Sequence, residues 1–234
     1  PEILLNSTKG CFTEYKHRCC WYHTSFHLNN PVSLIIFRRM IPSLYLSCKF
    51  LDLDPIRNIV LIGAGNVATH LGMVLKGAGF SMVQVYSRTA ASAQTLAEKL
   101  NTGFTADLNR ISPDGDLYII SVSDHAIEKI IPGLKLNGSF IIHTSGSVSM
   151  DTLKPVSDHI GVLYPLQTFS KSREVDFREI PVCLEAVHGE DMKKLRQLTH
   201  TITKKTFEVN SDKRKVLHLA AVFACNFPNF MYSV

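Results

Sequence analysis

Between residues 55 and 209, short runs rich in Ile, Val and Leu alternate with stretches whose apolar residues recur every three or four positions. Strands joined by crossover helices produce this pattern. Strands are predicted at 58–62, 82–86, 117–122, 139–143, 160–163 and 182–185, with 205–209 as a closing antiparallel edge strand. Helices are predicted at 66–77, 90–101, 125–131 and 190–201, and Gly, Asp and Pro punctuate the joints. The run 117–122 has no polar alternation until Ser121, so it is expected to be buried on both faces, as in a parallel sheet. The fold class expected is α/β, a doubly wound, mostly parallel sheet over 55–209.

Residues 210–234 read differently. Ser211 is placed to cap a helix from Asp212, and apolar residues from Val216 to Phe227 fill that helix almost all round. It is therefore expected to be buried on several sides, as the first helix of an all-α domain cut short at Val234. Because the chain also opens on Pro1, a fragment at both ends is expected.

The first 54 residues show neither period and are read as an atypical leader, weakly ordered or translated from upstream of the natural start. They hold four of the six Cys and the only Trp. Cys19, Cys20, His23 and His27 carry donor atoms but lack the paired spacing of a zinc site, so no metal is expected. The most apolar stretch, 32–51, is interrupted by Arg38, Arg39, Pro42 and Lys49, which excludes a continuous membrane span. No secretory signal fits the first thirty residues, and Cys183 and Cys225 sit in apolar runs like reduced, buried thiols. A cytoplasmic location is expected, with no membrane partner.

Composition narrows the function. A chain that is 45% hydrophobic and 19% charged can bury a core, and 25 Lys and Arg against 20 Asp and Glu is too mild an excess to call for nucleic acid.

The sharpest motif is Gly63-Ala64-Gly65-Asn66-Val67-Ala68, a GxGxxA sequence between the first strand and the first helix. Gly63 permits a tight turn, Gly65 lets a diphosphate approach the backbone, and Ala68 keeps helix and strand close, while helix-terminal N–H groups face the phosphates. A bare structural turn is the plain alternative, but the strand–loop–helix order favours a dinucleotide. At the end of the second strand an NAD site places Asp or Glu; this chain has Ser87-Arg88-Thr89. A guanidinium with two hydroxyls suits a 2′-phosphate, so NADP is the cofactor expected. Otherwise Arg88 is a solvated charge and Thr89 a helix cap.

In open parallel sheets ligands bind beyond the carboxyl ends of the strands. The loops there hold Val122, Ser123, Asp124 and His125, and His143, Thr144 and Ser145. Val122, Ser123 and Ser145 are taken as cofactor contacts. Hydride transfer to a carbonyl or imine needs a proton donor, and His143, His125 and His218 are the candidates. Arg214, His218, Cys225 and Asn229 share a stripe of the last helix with Asn226 beside it. Asn226, and Gln167 with Thr168 in the loop from Tyr164 to Phe169, are assigned to orienting a small substrate. The plainer readings are a helix cap for Asp124, a strand-end hydrogen bond for His143, a core imidazole for His218, and helix bending around Pro228 for the asparagines.

Ile62 to Ala68, His143 to Ser147, Tyr164 to Phe169 and Arg214 to Asn229 together resemble the Rossmann-like proteins that carry a C-terminal helical domain of unknown function. These are distant relatives of pyrroline-5-carboxylate reductase and the β-hydroxyacid dehydrogenases. The resemblance covers 57–234. It implies an NADP-linked oxidoreductase whose helical second domain closes the cleft and builds a homodimer. In the β-hydroxyacid dehydrogenases that helix carries a catalytic Lys four residues before an Asn, where this chain has Val222 before Asn226. The reading is hydride transfer to or from a small carbonyl or imine; the alternative is a non-catalytic NADP-binding regulator or interaction protein.

Overall fold

The computed structural model describes residues 55–170, 173 and 175–233, and within the last helix the side chains of 225–230, 232 and 233 lie outside the described set. The leader and its Cys and His therefore fall outside it, as do the side chains of Cys225, Asn226 and Asn229.

The strands are β1 (Asn58–Ile62), β2 (Ser81–Tyr86), β3 (Gly103–Thr105), β4 (Leu117–Ile120), β5 (Ile141–His143), β6 (Ile160–Pro165), β7 (Val182–Ala186) and β8 (Thr206–Glu208). They form one sheet in the order β3-β2-β1-β4-β5-β6-β7-β8. The helices are α1 (Asn66–Gly77), α2 (Ala90–Leu100), α3 (Asp124–Ile130), α4 (Gly189–His200) and α5 (Ser211–Ser233). Chain order reverses direction across the sheet between β1 and β4, which is the doubly wound arrangement.

Period-two alternation explains the two layers. Ile59 and Leu61 pack with Leu71 and Leu75 of α1 and Leu96 and Leu100 of α2. Val60 and Ile62 belong to the opposite cluster, with Ile127 of α3 and Leu153. Both faces of β1 and β4 are thus covered, and neither strand exposes a polar side chain because neither has one in its described span apart from the half-buried Asn58 and the Tyr118 hydroxyl. The Tyr118 hydroxyl donates to the Ser112 carbonyl at 3.0 Å.

Several expectations are corrected. β3 is a three-residue edge strand, too short to announce a period. β4 ends at Ile120, and Ser121 and Val122 already belong to the loop. The antiparallel step lies between β6 and β7; β8 pairs parallel with β7 and is antiparallel only to the strands beyond it. Asn210, not Ser211, caps α5, its Oδ1 accepting the Lys213 N–H at 2.9 Å. Ser211 instead donates its hydroxyl to the Glu185 carboxylate at 3.0 Å. The expected burial of α5 on several sides is not found: Val216, Leu219 and Phe223 are 67, 57 and 63% exposed. Cys183 is a free, buried thiol whose pKa is raised by that burial. Among the described residues no helix is long and apolar enough to cross a membrane.

Candidate functional site

At the point where β1 and β4 part, the strand ends are stitched to one another by backbone bonds. Gly63 N–H donates to the Tyr86 carbonyl at 2.7 Å, Ser121 N–H to Ile62 at 2.7 Å, and Thr144 N–H to Ile120 at 3.1 Å. The floor of the cleft is therefore rigid. Gly63 has φ +128, and a Cβ there would stand 2.2 Å from the Ser121 carbonyl oxygen, so only glycine fits the turn. Gly65 differs: its backbone is extended and a Cβ would meet nothing within 4 Å. That empty approach lies against the first turn of α1, whose N–H groups lack intrahelical acceptors. The space and the donors fit a diphosphate.

A cavity of about 670 Å³ opens above this floor. Gly63, Gly65, Asn66, Val67, Ser87, Arg88, Thr89, Val122, Ser123, Ser145, Gln167 and His218 all line it, so one cleft gathers most of the predicted site. Ala68 does not face the cavity; it is fully buried beneath the turn, packed with Leu71 and Leu61 in the layer that joins helix to strand. Asn66 donates its side-chain amide to the Phe169 carbonyl at 2.9 Å, and His70 Nε2 pairs with the Ser170 carbonyl at 2.8 Å. These bonds hold the loop after β6 against α1.

The two hydroxyl-rich loops are tied together. Thr144 Oγ1 donates to Ser121 Oγ at 3.1 Å, and the Ser147 hydroxyl donates to the Asp124 carboxylate. Ser145 Oγ accepts the N–H groups of Ser147 and Val148 at 3.1 and 3.0 Å. Asp124 thus bridges loops from the first turn of α3 rather than capping it.

His143 is not where a proton donor must be. It is fully buried, and it is absent from the cavity wall although Thr144 and Ser145 are present. Its Nδ1 accepts the Ser145 N–H at 3.2 Å. Burial, aided by the Arg214 guanidinium, pushes its pKa down to about 4, while the Ser149 backbone and Asp124 pull weakly the other way. At neutral pH it is an uncharged structural imidazole, because the lost hydration and the Arg214 cation outweigh the pull of Asp124. His125 is exposed on α3 and does not line the cavity either.

His218 does line it. Its Nδ1 lies 2.8 Å from the Tyr164 hydroxyl, the rings meeting edge to face at 5.7 Å. Tyr164 stands at the carboxyl end of β6, and nothing in its local sequence marks it as a partner of His218. Gly146 makes the pairing possible, since a Cβ there would be 2.7 Å from atoms of both rings. One turn before His218, Arg214 is fully buried and ion-paired with Glu185, and it donates to the Val148 carbonyl. That anchor sets α5 against the loop after β5. Lys129 and Ser92 also line the cavity, at positions whose helical period marks them only as surface.

Residues 49–168 match the model of a Rossmann-like domain, and residues 180–234 that of DUF2520, a domain of unknown function. A Bacteroides fragilis protein provisionally described as an NADP oxidoreductase is 45% identical, with 76% of this chain and 70% of that one covered and a TM-score of 0.72.

The chain belongs to the Rossmann-like family with a DUF2520 domain.

An imine reductase from Myxococcus stipitatus, solved with NADP+, superposes with a TM-score of 0.59 at 16% identity, covering 75% of this chain and 63% of that one. A pyrroline-5-carboxylate reductase from Coxiella burnetii gives 0.53 at 17% identity, covering 76% and 67%. At such identities these two show that the family shares their fold. No curated protein matches the chain.

Proposed function

We propose that this Rossmann-like, DUF2520-containing chain is an NADP(H)-dependent oxidoreductase acting on a small carbonyl or imine compound. The carrying observation is that one cleft joins the Gly63–Gly65 turn, the Ser87-Arg88-Thr89 rim and the Tyr164–His218 pair. Support comes from the B. fragilis relative, provisionally described as an NADP oxidoreductase.

The residues fit the cofactor on the structure's own terms: the approach to Gly65 is open and the rim beyond β2 offers a guanidinium where an NAD site would offer a carboxylate. When bound, the nicotinamide supplies or accepts a hydride. Gly65, Asn66 and Val67 would meet the diphosphate with backbone N–H groups, and Arg88, flanked by Ser87 and Thr89, the 2′-phosphate. Val122, Ser123 and Ser145 would wall the ribose side. The Tyr164 hydroxyl and His218 Nδ1 share a proton within hydrogen-bond distance and are the pair placed to deliver it to a substrate oxygen or nitrogen. Gln167 lines the same cleft, where its amide would orient that substrate; Asn226 stays a further candidate for orienting it.

The exposed Val216, Leu219 and Phe223 on α5 suit a covering helical surface, and we assign it to a homodimer partner. We place the boundary of the dinucleotide-binding domain between Val209 and Asn210, just ahead of α5.

The test is a nicotinamide-fluorescence titration of the full chain with NADPH and NADH. NADPH is expected to bind at least tenfold tighter, and Arg88→Glu to abolish that preference, a change of about 1.4 kcal/mol or more. Equal affinities before and after would defeat the cofactor assignment.

A further inference from the structure

At the far end of β6 from the cleft, three metal-ligating side chains converge that no motif links. His159 immediately precedes β6, His188 follows β7 and caps α4, and Asp191 stands in the first turn of that helix. The antiparallel register pairs Gly161 with Ala186 and is continued by Val187 N–H donating to the Ile160 carbonyl at 3.2 Å. Two residues further out, that register sets His159 opposite His188. Their rings lie 5.0 Å apart.

Asp191 completes the group. Its carboxylate is 2% exposed, and its Oδ2 is 2.9 Å from His159 Nδ1. One donor atom from each residue lies within 4.8 Å of the others. A tetrahedral zinc with bonds of about 2.0–2.1 Å needs ligand atoms roughly 3.4 Å apart, so movements of about 1.4 Å by the exposed His188 ring and about 0.5 Å between His159 and Asp191 close the set. The carboxylate sits buried in the first turn of α4, the exposed His188 can exchange water for an ion, and the ion would replace the proton between His159 and Asp191.

We propose that His159, His188 and Asp191 form a binding site for a divalent transition ion of the zinc class, with a fourth position open to water. Two imidazoles and one carboxylate suit Zn²⁺ better than Mg²⁺ or Ca²⁺, which take oxygen ligands. Tyr164 is five residues along β6 from His159, about 16 Å at strand rise. The ion therefore clamps the β6–β7 end to α4 and takes no part in chemistry at the cleft. This site is independent of the cofactor reading, and the 28 residues between its histidines hide it from any spacing rule.

The test is calorimetric titration of the metal-free full chain with Zn²⁺, for the natural protein and for His159→Ala/His188→Ala. Both imidazoles are exposed, so the double variant is expected to fold and to bind NADPH within about twofold of the natural chain. It should bind one equivalent of zinc fewer, and zinc at a hundredfold excess over Kd should raise the melting temperature of the natural chain by about 5 °C more than that of the variant. Equal stoichiometry and equal thermal response would overturn the site. So would a lost equivalent accompanied, on Co²⁺ substitution, by a lost thiolate charge-transfer band, because that would place the ion on cysteines.

Discussion

Replacing the two glycines of the phosphate turn by alanine, one at a time, separates folding from binding. At Gly63 the added Cβ would sit 2.2 Å from the Ser121 carbonyl oxygen and 2.6 Å from its carbon, whereas ordinary contact begins at 3.4 Å. The Ser121 backbone must retreat by more than 1 Å, against the 2.7 Å bond that ties it to Ile62. The positive φ adds strain on the order of 1–3 kcal/mol. Together these make a loss of about 3–5 kcal/mol, in the range of severe substitutions, and a fall in melting temperature of about 10 °C. At Gly65 nothing lies within 4 Å and the backbone is extended, so Gly65→Ala should change stability by no more than about 1 kcal/mol. The same methyl, however, stands where a diphosphate bound as proposed would meet the α1 N–H groups. NADPH affinity, read by nicotinamide fluorescence, should fall at least tenfold, or about 1.4 kcal/mol. Thermal melts and titrations of both variants give the comparison. If Gly65→Ala binds NADPH within twofold of the natural chain, the turn does not cradle a diphosphate and the cofactor argument fails at its first step.

Gly146→Ala should drive His218 and Tyr164 apart, lowering kcat for any carbonyl or imine substrate by about tenfold or more while NADPH affinity stays within threefold; unchanged kcat would remove the pair from the chemistry. His143 has a folded pKa of about 4 against an unfolded value near 6.5, so the unfolded chain binds the extra proton between them. Its contribution is complete above pH 6.5 and lost as pH falls toward 4, about 3 kcal/mol in all. Urea midpoints should therefore drop more steeply over that window in the natural protein than in His143→Leu, and parallel curves would refute the burial argument. Arg214→Ala leaves Glu185, its side chain 13% exposed, without a cation and should cost about 3–5 kcal/mol. Arg214→Met with Glu185→Leu should cost far less, and equal losses would show that the ion pair is not what holds α5.

Much of this protein was legible in the sequence because the signals are local. The apolar runs of β1 and β4, the helical period of α1 and α2, and the Gly63–Ala68 turn each lie within a dozen residues, and burial on both faces follows from hydrophobic content alone. The rim at Arg88 was legible for the same reason, since it follows a strand end at a known offset. Tertiary structure decided the rest. Whether His143 meets solvent or core depends on what packs over β5, and whether Tyr164 finds His218 depends on Arg214 and Glu185 setting α5 across the sheet. β3 and the direction of β8 were hidden because three residues show no period and strand direction is a property of the pairing. The His159, His188 and Asp191 cluster exists only through the register of β6 on β7. Local patterns select elements by burial; the chemistry arises where distant side chains meet, and those distances are set by packing.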